Sequence, residues 1–101
     1  MEESKEIIWS FHAKEDLKTI YEYYAQFSLT IANRIVDRIY DKVSILQAPN
    51  AEQIGQFDEF NSDFRRLISG NYKIFYKVFD SEILIVRIFD SRQNPSKVNS
   101  E

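Results

Sequence analysis

The 101-residue sequence contains no cysteine, one histidine, one tryptophan, two glycines and two prolines. Without cysteine there is no disulfide, no thiolate zinc site and no cysteine nucleophile. His12 alone makes no histidine cluster, so a metal site would have to be built from carboxylates, and no stretch has the spacing of one. Neither a metal nor a cofactor is expected. Long hydrophobic runs are also missing. The opening MEESKEIIW is acidic and too short in apolar residues for a signal peptide or a membrane span. The expectation is a cytoplasmic protein with no membrane partner.

What the chain has is ordinary hydrophobic content (44%), ordinary charge (29%) and many aromatics (15%). Its length predicts one domain, residues 1–101, with one modest core. The net charge of −3 is unevenly spread. Residues 48–63 carry four acids and no base, whereas residues 64–101 carry seven of the thirteen basic groups. A globally acidic chain is a poor nonspecific ligand for nucleic acid, which is held by many Lys and Arg contacts to phosphate.

Residues 6–11, EIIWSF, are branched and aromatic and read as a strand. Ser10 offers a cap for a helix over 12–27, whose apolar positions Ala13, Leu17, Ile20, Tyr21, Tyr24 and Phe27 recur every three or four residues. Ser28 or Thr30 can cap a second helix over 29–47, striped by Leu29, Ala32, Ile35, Val36, Ile39, Tyr40, Val43 and Leu46. The short link makes the two an antiparallel hairpin, and Pro49 ends the pattern. Residues 48–63 have no period and read as a loop. Either Phe57 and Phe60 tuck beneath it, or its acids balance the basic region that follows. Residues 64–69, 72–79 and 82–89 then read as strands joined by Gly70-Asn71 and Asp80-Ser81. The polar tail 91–101, with Pro95, is not expected to extend as a helix. The predicted fold class is α+β: β-α-α-β-β-β, a helical hairpin packed on one face of a mainly antiparallel four-stranded sheet.

Strict alternation sorts the strand side chains. Tyr72, Ile74, Tyr76 and Val78 are expected to face the helices, as are Leu84, Val86 and Ile88. The opposite face then carries Arg65, Lys73, Lys77 and Arg87 among Leu67, Phe75, Ile83, Ile85 and Phe89. That face is too apolar for water and is expected to bind an acidic or amphipathic partner segment. The bland alternative is that the tail or a second copy of the chain covers it. Arg87 has its own plain explanation, its stem covering neighbouring apolar groups. Arg92 has another, a local ion pair with Asp90.

Three stretches now resemble the RelE/ParE superfamily of bacterial type II toxins. IIWSFHAKEDLKTIYEYY resembles its strand, Ser, and Ala-x-x-Asp-Leu-x-x-Ile helix. RRLISGNYKIFYKV resembles its Arg-x-Leu-x-x-Gly-x-Tyr-x-Ile-x-Tyr strand pair. IVRIFDSRQNPSK resembles the ParE-like ending, Asp-x-Arg-x-Asn-Pro after an apolar strand. The resemblance implies the RelE/ParE toxin fold and a toxin neutralised by a cognate antitoxin, which would itself be the partner that binds operator DNA. The ParE-like branch implies growth inhibition by binding DNA gyrase, and a role in plasmid stabilisation. The RelE-like branch implies the alternative, cleavage of mRNA on the ribosome, for which Arg65, Lys73 and Arg92 match basic catalytic positions. Against that branch, Leu67 stands where a second cation is usual and Val98 where a Tyr or His is usual. A member that has lost toxicity is a further alternative. The residues expected to bind antitoxin or target are Arg65, Phe75, Lys77, Ile85, Arg87, Phe89 and Arg92.

Overall fold

The computed structural model describes residues 5–47, 56–57 and 64–90. Strand β1 (Glu6–Trp9) leads directly into helix α1 (Phe11–Ala25). Ser10 caps that helix, its Oγ accepting from the Ala13 N–H at 3.0 Å. A three-residue link follows, and Ser28 caps α2 (Leu29–Ser44) by accepting from the Ile31 N–H at 3.2 Å. A 3₁₀ turn, Ile45–Gln47, closes the hairpin and buries Leu46.

The sheet has the order β1-β5-β4-β3-β2. Strands β3 (Arg65–Ser69), β4 (Tyr72–Val78) and β5 (Glu82–Asp90) form an antiparallel meander, and β1 joins β5 in parallel. The four expected strands are therefore present. A fifth, β2 (Gln56–Phe57), pairs with Arg65 and Arg66 inside the stretch expected to be loop. Two residues are too few for a period-2 pattern to register in the sequence. How Phe57, Phe60 and the acids of 48–63 are arranged, and the form of the tail, lie outside the described residues.

Both tight turns have two central residues. In the first, Gly70 has φ of 59° and no other residue described has a positive φ. Glycine at the first central position with an ordinary second residue is the pattern of a type II′ turn. In the second, Phe79 N–H bonds Glu82 C=O at 2.8 Å. Lys5 Nζ then donates to the carbonyls of Phe79 and Asp80 at 3.0 and 2.6 Å.

The core lies between the hairpin and one face of the sheet. Ala13 and Leu17 of α1 and Ile39 and Val43 of α2 meet Leu67, Tyr72, Ile74, Tyr76, Ile83, Ile85 and Ile88. Two helical positions expected inside are not. Leu29 is 61% exposed at the start of α2, and Tyr40 is half-exposed against Trp9, ring centres 5.1 Å apart. Phe27 falls beyond the end of α1 and is 71% exposed. None of the helices described is long and apolar enough to cross a membrane.

Candidate functional site: the open face of the sheet and the edge of β5

One irregularity decides which side chains the open face presents. Along β4 the alternation is regular, with Tyr72, Ile74 and Tyr76 buried. Phe75 pairs with Arg87, but Tyr76 pairs with Ile85, so Val86 is an extra residue in β5. A bulge of one residue switches the face of everything beyond it. Ile83 and Ile85 consequently point to the helices before the bulge, and Ile88 does so after it. The strict alternation that put Ile83 and Ile85 on the open face is thus corrected; both are fully buried. Leu84, expected in the core, pairs with Lys77 on the open face.

Strand β3 needs a second correction. Arg65 pairs with buried Tyr76 and Leu67 with buried Ile74, so both belong to the helix side. Arg66 and Ile68 take the open face instead, opposite Phe75 and Lys73. Two adjacent arginines gave no signal for which of them faces out. Leu67 and Ile68 gave none either, since each parity of β3 holds one arginine and one apolar residue.

The pairings set the open face out in transverse rows. Arg66, Phe75 and Arg87 form one; Ile68, Lys73 and Phe89 the next; Lys77, Leu84 and Ile8 a third. In the first two rows cation and apolar side chain alternate, so no two cations stand directly opposite each other, which would be unfavourable. Phe75 and Phe89 meet edge to face with centroids 5.6 Å apart. Arg87 lies over Phe89, Cζ to centroid 4.8 Å, and Lys77 lies 5.5 Å from the Phe64 ring. Such contacts hold the cations close to the rings. The acids of this face, Glu6 and Glu82, sit together at its far corner, opposite one another in the β1–β5 register.

The edge of β5 is the second feature. Strand β1 covers β5 only as far as Ile85. Beyond it, α1 supplies the missing partners. The Ser10 N–H donates to Ile85 C=O at 3.0 Å, and its Oγ–H donates to Val86 C=O at 2.8 Å. The Ile88 N–H donates to Asp16 Oδ2 at 2.8 Å. Arg87 donates to the same carboxylate through Nε at 2.9 Å and Nη2 at 3.2 Å. These bonds to Asp16 raise the guanidinium pKa above its ordinary value, against a smaller opposing effect of burial. Past Asp16 the edge opens into a groove of about 540 Å³ between α1 and β5, walled by Tyr23, Tyr24, Tyr72 and Phe89.

Of the residues expected to act, Phe75, Lys77, Phe89 and Lys73 lie on the open face, and Arg87 lies at its β5 margin. Ile85 is in the core. Arg65 and Lys73 are on opposite faces of the sheet, so the pair does not converge. Arg92 lies outside the described residues. Arg66, Ile68 and Leu84 belong to the site and were missed by strict alternation, and Asp16 was missed because it comes from α1.

The same chain architecture recurs among known proteins. The family description "ParE toxin of type II toxin-antitoxin system, parDE" matches residues 7–95. The chromosomal ParDE toxin–antitoxin system of P. aeruginosa contains a chain 26% identical, with TM-score 0.77, over 86% of this chain and 96% of that one. A chain of the RelBE2 toxin–antitoxin complex of Mycobacterium tuberculosis is 16% identical, TM-score 0.55, over 89% and 93%. The YoeB/ParE toxin of Agrobacterium tumefaciens is 15% identical, TM-score 0.55, over 82% and 94%. The last two show a shared fold. Comparison with curated proteins found no sequence match.

Proposed function

Because the chain belongs to the ParE toxin family of type II toxin–antitoxin systems, we propose that it inhibits growth by binding DNA gyrase, and that a cognate antitoxin neutralises it by lying across the open face of the sheet. The observation that carries this reading is the composition of that face. Phe75, Phe89, Leu84, Ile8 and Ile68 are interleaved with Arg66, Lys73, Lys77 and Arg87. Apolar surface studded with cations suits a partner segment that is itself apolar and acidic. The similar P. aeruginosa chain belongs to a toxin–antitoxin system, which supports an antitoxin as that partner.

Binding without catalysis is favoured by what the face holds. Cleavage of a phosphodiester by an RNA 2′-hydroxyl needs a base, an acid and cations aimed at one phosphate. Among the described residues no histidine lies on the open face; His12 is exposed at the start of α1. Tyr72 and Tyr76 are buried on the helix side, and Arg65 is on the helix side as well.

The test uses purified gyrase, supercoiled plasmid and the full chain. Inhibited supercoiling or trapped cleavage complexes are expected, relieved by the cognate antitoxin. Unchanged gyrase at high protein excess, together with codon-phased cuts of translated mRNA by primer extension, would replace this reading with a ribonuclease.

A further inference from the structure

The helical hairpin carries a second surface of its own. Between α1 and α2 lies a groove of about 290 Å³, lined by Lys14, Leu17, Lys18, Tyr21, Val36 and Tyr40. All six are helix residues, and the helices cover the face of the sheet opposite the open one. The sheet therefore stands between this groove and the open face. Helical spacing builds it: Lys14, Leu17, Lys18 and Tyr21 recur at three and four residues on α1, and Val36 and Tyr40 lie four apart on α2. Leu17 is buried, and Val36 packs against the same core, so the floor is apolar and fixed. Tyr40 is half-exposed, and Trp9 braces its ring at 5.1 Å.

The charge of the groove is uncompensated. Its lining holds two bases and no acid, in a chain whose net charge is −3. Lys14 and Lys18 stand one turn apart on α1, where like charges oppose each other. Both are exposed, and among the described residues neither forms an ion pair, although Glu22 lies one turn beyond Lys18. Two ammonium groups and two phenol hydroxyls thus surround an apolar floor. That set fits a carboxylate flanked by aliphatic side chains on a partner's surface. It fits nucleic acid poorly, since phosphate backbones are held by many cations and the groove offers two.

We propose that this hairpin groove is where the chain holds DNA gyrase, through a gyrase segment that sets an acidic side chain between Lys14 and Lys18 and an aliphatic one against Leu17 and Val36. This rests on the gyrase reading above. The open face of the sheet is the surface assigned to the antitoxin, so the two partners use separate sides of the molecule. Gyrase and antitoxin then do not compete for the same side chains, and a substitution in the groove weakens one partner and spares the other.

The experiment uses the full chain, purified gyrase, relaxed plasmid and the cognate antitoxin. The double variant Lys14→Glu/Lys18→Glu is expected to raise the protein concentration that half-inhibits supercoiling by about tenfold or more, with the antitoxin Kd unchanged. Thermal unfolding should not move, because both side chains are exposed. Arg34→Glu/Arg38→Glu makes the same change of charge at the same spacing on α2, outside the groove, and is expected to inhibit as the wild type does. Equal losses in the two double variants assign the effect to overall charge and overturn the proposal. Inhibition unchanged by Lys14→Glu/Lys18→Glu also overturns it and leaves the gyrase reading standing. A matching loss of antitoxin affinity in that variant assigns the groove to the antitoxin, and sedimentation showing self-association that the variant abolishes assigns it to a second copy; either result overturns the proposal. Failure of the wild-type chain to inhibit gyrase at high excess overturns both the groove and the gyrase reading.

Discussion

Asp16 of α1 holds Arg87 of β5 through two hydrogen bonds, at 2.9 and 3.2 Å, while the same carboxylate takes the Ile88 N–H at 2.8 Å. One side chain thus substitutes for the strand that β1 fails to provide beyond Ile85, and it fixes a cation at the margin of the open face. Exposed strand edges recruit other strands, and native proteins cover them. Here the cover is the first turns of a helix.

Asp16→Ala is expected to lower stability by about 1–3 kcal/mol, because it strands the Ile88 N–H and frees Arg87. Asp16→Asn, which keeps an acceptor oxygen, should recover about half of that loss. Urea unfolding of the three proteins measures it. Near neutral pH, Arg87 adds no slope to the comparison. Its folded pKa is raised, so its contribution is complete below the unfolded pKa and is lost only as pH rises through the folded value, in strong alkali.

The bulge at Val86 separates core from surface in β5, and neighbouring substitutions should report it. Ile85→Ala removes a fully buried side chain and is expected to cost about 2–5 kcal/mol. Leu84→Ala, on the half-buried open face, should cost about 1 kcal/mol and weaken partner binding instead. Denaturant midpoints of the two variants decide it. A larger loss from Leu84→Ala than from Ile85→Ala would mean that β5 runs without the bulge.

Most of the fold was legible because its signals are local. The spacing of Ala13, Leu17, Ile39 and Val43 marks both helices, and Ser10, Ser28 and Gly70 mark the places where elements begin or turn. The parity of β5 was not legible. In Ile83-Leu84-Ile85-Val86 both parities are apolar, so nothing in the side chains marks where the register shifts. Arg65 and Arg66 hid the phase of β3 in the same way. Nor could residue types show that Asp16, far away in sequence, would close the edge of β5. The character of the open face survived these errors because a one-residue shift exchanged Ile83 and Ile85 for Leu84, another apolar residue.

Ser10 joins three elements. It caps α1 through Ala13 and bonds both carbonyls flanking the start of the bulge, Ile85 and Val86. Ser10→Ala keeps its backbone bond but removes the cap and leaves Val86 C=O without the hydroxyl. The expected loss is about 1–2 kcal/mol, larger than for Ser28→Ala, whose cap is exposed. Thermal unfolding of the two variants side by side checks the ranking.

At Gly70 the positive φ, and not crowding, sets the requirement, since a Cβ there would meet nothing within 4 Å. Gly70→Ala is expected to cost about 1–2 kcal/mol from the left-handed backbone alone. Gly70→Asn should cost about as much, because the first central position of a type II′ turn lies outside the left-handed helical region that Asn tolerates. Unchanged stability of the alanine variant, read from chemical unfolding, would mean that the turn relaxes to another type.

Lys73 sits in the middle of the open face, between Ile68 and Phe89, and reversing its charge tests whether this face meets a partner first. Lys73→Glu removes no core contact, so stability should change by no more than about 0.5 kcal/mol. If the face steers an acidic partner, association with the antitoxin should slow by about tenfold at low salt. The difference from wild type should shrink as salt screens the surface charges. Stopped-flow association at two ionic strengths measures both quantities. The same substitution at Lys18, on the outer face of α1, serves as the control, since it makes an equal change of charge away from the sheet. Equal slowing by both variants would show that overall charge, and not the rows of cations and rings on this face, governs the encounter.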